Sequence, residues 1–233
     1  EGKTDSTPDP AMIEMFNAMV DEMFDYGRFI LKEKRKNPSD DLLSAIANAE
    51  IEGEKLTDEF LDGSWLLIIF AGNDTTRNTM SGGIKLLHEN PKQKELLMQD
   101  TGLLTNFIHE TIRCVSPVIH MRRTSLEETE ISGQRIGPFE KISLWYGAAN
   151  RDPDIFENPN EFNILRENAD KHLAFGIGRH TCLGKPIALM QLKEFYSQFL
   201  TRFKDFELNG EWKVAPNNFV HAIQEMPIKF TPE

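Results

Sequence analysis

Residues from about Asp58 to Asn90 read as one long helix, and this segment restricts the fold more than any other in the chain. At 1.5 Å per residue such a helix is roughly 50 Å long. Its stretch from Trp65 to Ala71 is apolar on nearly every side. A helix without a polar face must be covered all round, so this part is expected to be buried. Four polar residues follow, Asn73-Asp74-Thr75-Thr76. In the centre of a buried helix they cost free energy unless something uses them. Thr57 or Asp58 is the expected N-cap.

The rest of the pattern is helical first and mixed later. Residues 1–10 read as a polar loop. Met12, Met15, Phe16, Met19, Met23, Phe24, Phe29 and Ile30 then recur at helical spacing as far as Lys36, and this stripe is expected to be core packing. Asn37-Pro38-Ser39 ends that helix, and Ser39 or Asp40 is expected to cap a short one through Ala49. Pro91 opens a helix to Gln99, and Leu103–Val115 is another, stopped by Ser116-Pro117. Strands are expected at 129–131, 135–136 and 141–145, with a turn at Ser132-Gly133. Residues 147–180 are irregular, and a loop this long in a compact domain is usually functional. Pro186–Phe203 is helical again, and short strands follow from Phe206 to Phe230. The fold class is therefore mainly α with small β-sheets (α+β).

Composition removes some functions. The formal net charge of -11 disfavours nucleic acid, because phosphate repels it. Two cysteines, Cys114 and Cys182, make no disulfide framework, which points to a reducing compartment. No apolar run reaches the length of a membrane span, so no membrane anchor is expected. The chain has no signal-peptide pattern and no initiator Met, and it opens like the middle of a longer chain.

The strongest chemical signal is Phe175-Gly176-Ile177-Gly178-Arg179-His180-Thr181-Cys182-Leu183-Gly184. A glycine-punctuated loop here delivers one cysteine just before a helix N-terminus. Backbone N–H groups and the helix dipole at that place stabilise a thiolate. Glycines let the backbone approach a flat partner, and Arg179 and His180 suit carboxylates. The segment resembles the cysteine-ligand loop F-x-x-G-x-x-x-C-x-G of the cytochrome P-450 superfamily. The resemblance implies that Cys182 is the axial ligand of haem b (iron protoporphyrin IX), with Phe175, Gly176 and Gly184 also binding the cofactor.

Other segments carry the same resemblance in the same order. Ala71-Gly72-Asn73-Asp74-Thr75-Thr76 is similar to the family's oxygen-activation motif, which locally opens the long helix beside the haem. The resemblance makes Thr75 the alcohol that hydrogen-bonds dioxygen and Asp74 the acid that supplies protons. An acid–alcohol pair is a workable relay into an apolar pocket; the alternative is a helix whose Thr side chains bond back to i−4 carbonyls. Glu110-Thr111-Ile112-Arg113 matches E-x-x-R, with Arg166 as the arginine that completes it in the loop before the cysteine. In Met121-Arg122-Arg123-Thr124, Arg123 is the better match to a haem-propionate arginine, and His180 matches a second propionate contact. Where the family usually has Gly in a hairpin turn, this chain has Phe139.

What the resemblance covers is the C-terminal half of the family's single domain, residues 1–233, with the N-terminal half missing. More narrowly, Gly72–Asn78, His120–Thr124 and Leu144–Asp152 resemble bacterial soluble enzymes that hydroxylate alkanes, fatty acids or sterol side chains. The implied activity is a monooxygenase that inserts one oxygen atom of O2 into an aliphatic C–H bond. Electrons from NAD(P)H would arrive through a ferredoxin and its reductase, in the bacterial cytoplasm. Lys171, His172, Arg179, His180 and Lys185 form a local basic patch suited to an acidic redox partner. The competing reading is a truncated haem-binding or inactive fragment with no catalysis of its own.

Overall fold

The computed structural model describes residues 9–232. The loop expected over residues 1–10 lies, as far as residue 8, outside the described residues. The chain divides into two compact units, residues 1–71 and 72–233, and each is taken by itself.

In the first unit, α1 spans Pro10–Lys36 and α2 spans Leu42–Ala47. Asp9 caps α1, its carboxylate accepting from the Ala11 N–H, and Pro10 sits in the first turn where a missing N–H costs nothing. The cap of α2 is Asp41 and not Ser39 or Asp40: its Oδ1 accepts the Ser44 N–H at 2.8 Å. Ser39 is used differently, donating to the Asp41 carboxylate. Strands β1 (Glu50–Ile51) and β2 (Glu54–Lys55) form a hairpin. Glu52 and Gly53 turn it with φ of 54° and 85°, the geometry that matches strand twist. Leu31, Ala47, Leu61 and Trp65 make the core, and Arg35 ties it by donating to the carbonyls of Ala47 and Leu56.

Helix α3, Asp58–Glu89, begins in this unit and continues into the next. Thr57 Oγ1 accepts the Phe60 N–H, as its cap role requires. The helix runs unbroken through residues 73–76, so the local opening expected there is absent. The expected burial is also corrected. Trp65 is buried, but Leu66, Leu67, Ile69 and Phe70 are exposed, Leu67 at 66 %. Met12, Met15, Phe16 and Met19 of α1 are likewise exposed, not core. Apolar faces on every side of a helix need a neighbour on every side, and the described residues do not supply one.

The second unit carries α4 (Pro91–Gln99), α5 (Leu104–Val115), β3 (His120–Thr124), β4 (Thr129–Ile131), β5 (Gln134–Ile136), β6 (Lys141–Trp145) and the single turn α6 (Tyr146–Ala149). After a long loop come α7 (Lys185–Arg202), β7 (Phe203–Leu208), β8 (Lys213–Val214), β9 (Ile223–Glu225) and β10 (Ile228–Pro232). The strands pair antiparallel in twos: β3 with β6, β4 with β5, β7 with β10, β8 with β9. Ser132 and Gly133 turn β4 into β5 with positive φ, as expected. Phe139, where a glycine is usual, takes φ of 63° and stays exposed, its N–H held by the Ser125 carbonyl. Ser116 ends α5 in the left-handed region, with Pro117 beyond it.

The core of this unit joins α3, α4, α5, the long loop, α7 and β7 through Leu87, Leu97, Phe107, Ile164, Leu192 and Phe206. Tyr196 stands at its centre, fully buried, edge-on to Phe107 at 4.7 Å. Gly83 makes room for it: a Cβ there would lie 2.0 Å from the Tyr196 hydroxyl. Among the described residues no helix is long and apolar enough to cross a membrane.

Gly83→Ala is expected to destabilise this unit by about 1–3 kcal/mol through overpacking. In urea unfolding, adding Tyr196→Phe should recover part of that loss, because it removes the atom the new methyl meets.

Candidate functional site

Cys182 stands in a loop that two glycines shape. Gly176 and Gly178 have φ of 69° and 74°, where other residues are strained. Residues 178–180 form a short 3-10 turn. The Cys182 N–H donates to the Phe175 carbonyl at 2.8 Å, which closes the loop on itself. The thiol is free and exposed, three residues before Lys185 starts α7. Ile177, Leu183 and Ile187 around it are also exposed. A soft sulfur with an apolar rim, and with the Arg179 guanidinium and the His180 imidazole N–H beside it in sequence, fits a flat, mainly apolar metal cofactor with acidic edges, as haem is.

Behind this loop lies a buried ionic network. Glu110 and Arg113 of α5 are fully buried and Arg166 nearly so. Glu110 accepts from Arg113 Nε at 2.7 Å and Nη2 at 2.8 Å, from Arg166 Nε at 3.1 Å, and from the Asn163 N–H at 2.9 Å. The two guanidiniums spend their remaining donors on backbone carbonyls. Arg113 reaches those of Asn150, Pro159 and Glu161. Arg166 reaches Glu157, Asn158 and Glu161. Both lie over the Phe156 ring. The three residues read as one set from the sequence are thus brought together, and they tie down the loop of residues 150–166 that leads to Cys182.

Asn106 and Asn150 belong to the same region, and no role was read for them from the sequence; His172, expected in a basic patch, is instead buried here. Asn106 Nδ2 donates to the carbonyls of Ile164 and Arg166. Asn150, fully buried, donates to Ser116 Oγ and accepts the Leu173 N–H at 2.6 Å. A polar side chain in an Asn-rich loop gives no signal of its own, since most are solvated. His172 is buried, with its Nε2 3.4 Å from His109 Nδ1 and its own Nδ1 without a hydrogen-bond partner among the described residues. Burial, helped by His109 and Lys185, pushes the His172 imidazole down to about 4. Burial also lowers His109. Cys114 is half-buried beside Arg113 and Glu110, and burial together with the Glu110 charge pushes its thiol up to about 11.

The remaining expected residues are placed apart from this network. Asp74 and Thr75 are half-buried on α3. The Asp74 carboxylate pairs with Arg77, one turn on, rather than with a residue of the Cys182 loop. The Thr75 carbonyl accepts Thr79 Oγ1 at 2.8 Å, so i−4 back-bonding is present one turn later. Arg123 and Met121 share one face of β3 opposite Ile142 and Leu144, while Arg122 lies on the other face opposite Ser143. Arg123 is half-buried and donates to the Arg122 carbonyl. Among the described residues no hydrogen bond joins Arg123 or His180 to Cys182.

Two measurements follow. Glu110→Gln should cost about 3–5 kcal/mol, because it leaves two buried guanidiniums without their anion; chemical denaturation checks it. The pH dependence comes from His172. An unfolded imidazole near 6.5 binds a proton that the folded one, near 4, refuses. Stability is therefore fully present above pH 6.5 and is lost as pH falls toward 4, by about 2–3 kcal/mol. His172→Gln should flatten that acid limb.

The family described as Cytochrome P450 matches residues 7–231. Cytochrome P450-terp of a Pseudomonas species is 36 % identical over 216 residues, 93 % of this chain and 50 % of the relative. Steroid C26-monooxygenase of Mycobacterium tuberculosis is 38 % identical over 211 residues, 89 % of this chain and 53 % of the relative. The crystal structure of CYP108D1 from Novosphingobium aromaticivorans aligns with a TM-score of 0.87 at 33 % identity, over 96 % of this chain and 54 % of that one. The chain spans about half the length of the curated relatives it matches. A cysteine loop backed by a buried glutamate–arginine network, at this identity and over this much of the chain, places the protein in the cytochrome P450 family.

Proposed function

We propose that this chain is the C-terminal portion of a single-domain haem-thiolate monooxygenase, acting on an aliphatic substrate. The observation that carries the reading is the exposed Cys182 at the head of α7, on a loop whose approach is fixed by Glu110, Arg113 and Arg166. Haem b held by the Cys182 thiolate would supply the dioxygen and electron chemistry. Phe175, Gly176 and Gly184 shape the loop around that sulfur. A Cβ at Gly184 would stand 3.9 Å from Cys182 Sγ, so the position is close to the ligand atom.

Asp74 and Thr75 manage protons in this reading. The Thr75 hydroxyl holds a hydrogen bond to the oxygen substrate, and the Asp74 carboxyl resupplies its proton. Asp74 must leave Arg77 to do so, which makes that ion pair part of the delivery step. Arg123 and His180 neutralise carboxylates at the cofactor edge. Electrons come from NAD(P)H through a ferredoxin and its reductase, and the protein works in the bacterial cytoplasm. The aliphatic class rests on relatives named for linalool, steroid and methyl-branched lipid hydroxylation.

A second reading, haem binding without catalysis by this chain alone, is favoured by one observation. The chain spans about half the length of the relatives it matches.

The deciding experiment is the reduced, carbon-monoxide difference spectrum of the haem-reconstituted chain. A strongly red-shifted Soret band that disappears in Cys182→Ser supports thiolate ligation; a band unchanged in that variant refutes it. In the haem-loaded protein Thr75→Ala should divert reducing equivalents to peroxide, and an unaltered product-to-peroxide ratio would remove Thr75 from its role.

A further inference from the structure

Asn78 lies one turn after Asp74 on α3 and is 2 % exposed. Its carboxamide is occupied at both ends. Nδ2 donates to the Asp74 carbonyl at 2.8 Å, and Oδ1 accepts the Ile223 N–H of β9 at 2.8 Å. The first bond is made to the peptide that joins Asp74 to Thr75, so it acts on the backbone of that pair directly. The second reaches a strand 145 residues along the chain. Releasing either partner strands a buried polar group, so the amide passes displacement from one to the other.

The turn that follows is held independently. The Tyr196 hydroxyl of α7 lies 3.0 Å from the Thr79 carbonyl and 2.9 Å from that of Met80, as their donor. Thr79 Oγ1 donates back to the Thr75 carbonyl. With that frame fixed to α7, the Asp74 carbonyl is tied through Asn78 to the β8–β9 hairpin.

We propose that Asn78 is a positioning residue that couples the β8–β9 hairpin to the Asp74 peptide, so that a shift of the hairpin shifts the Asp74–Thr75 pair. The use of that shift in oxygen chemistry rests on the function proposed above; the mechanical link does not.

Amide hydrogen exchange on the full chain tests the link without haem. Asn78→Leu removes both ends of the bridge. Ile223→Pro removes the donor N–H alone, at the first residue of a strand, where proline is tolerated. Each variant should speed exchange over residues 75–79 by about fivefold to tenfold, the factor for one buried hydrogen bond. The double variant should add nothing to the larger single effect. Additive effects, or exchange in Ile223→Pro that leaves residues 75–79 unchanged, overturn the proposal. Asn78→Asp is the conservative control. Its carboxylate keeps the acceptor for Ile223 but lacks the donor for Asp74, and protonation at acid pH restores that donor. Protection of residues 75–79 that returns on acidification in this variant alone supports the link, and protection indifferent to pH overturns it. Coupled exchange together with an unaltered peroxide ratio in Thr75→Ala would support the link while removing only its assigned use.

Discussion

The site depends on one carboxylate. Glu110 is buried with two guanidiniums around it, so the cluster carries one more positive charge than negative. Isolated, that excess would be expensive in a low-dielectric interior. It is offset by backbone carbonyls from residues 150 to 161, whose dipoles all point inward. The loop between α6 and α7 holds itself only through short turns and two 3-10 turns. The carbonyls of Asn150, Glu157, Asn158, Pro159 and Glu161 accept from arginine, as those of a sheet accept from N–H groups. The network thus replaces secondary structure along the segment that must deliver Cys182 to a fixed place.

Such an arrangement is all or nothing. Each guanidinium serves several carbonyls at once, so no member can be withdrawn without stranding the others. The neutral His172 beside the loop follows the same logic from the opposite side. It fits because it carries no charge next to Lys185 and Arg113, and its burial keeps it so. The loop therefore combines a buried charge met by backbone dipoles with a histidine that has to stay uncharged.

Much of this could be read from residue types. Helix ends announced themselves through Thr57, Pro91 and Ser116-Pro117, because each acts locally on the backbone. The glutamate–arginine pair was legible from its spacing once the cysteine loop gave it a context. The α2 cap was not, because Ser39, Asp40 and Asp41 are equivalent until the chain direction is fixed. Burial of the Trp65–Ala71 segment was misjudged for a deeper reason: an apolar sequence states what a helix needs, not whether a neighbour provides it. The unopened α3 has a similar cause. Its carbonyls at Asp74 and Thr75 each accept a side-chain donor, Asn78 and Thr79, four residues on, and this dependence is invisible in a motif read as catalytic. Asn150 escaped notice, and His172 was misplaced in a basic patch, because their partners lie on α5 and its C-terminal turn, far away in sequence.

The two cysteines differ in a way that has a practical meaning. Cys114 sits against Glu110 and Arg113 with its proton held tightly, whereas Cys182 faces solvent. Toward a colourimetric disulfide or maleimide at neutral pH, the native chain therefore presents one countable sulfur, and it gains a second when the Glu110 cluster comes apart. Stoichiometry alone then distinguishes an intact fold, with one reactive sulfur, from one whose charged interior has opened, with two.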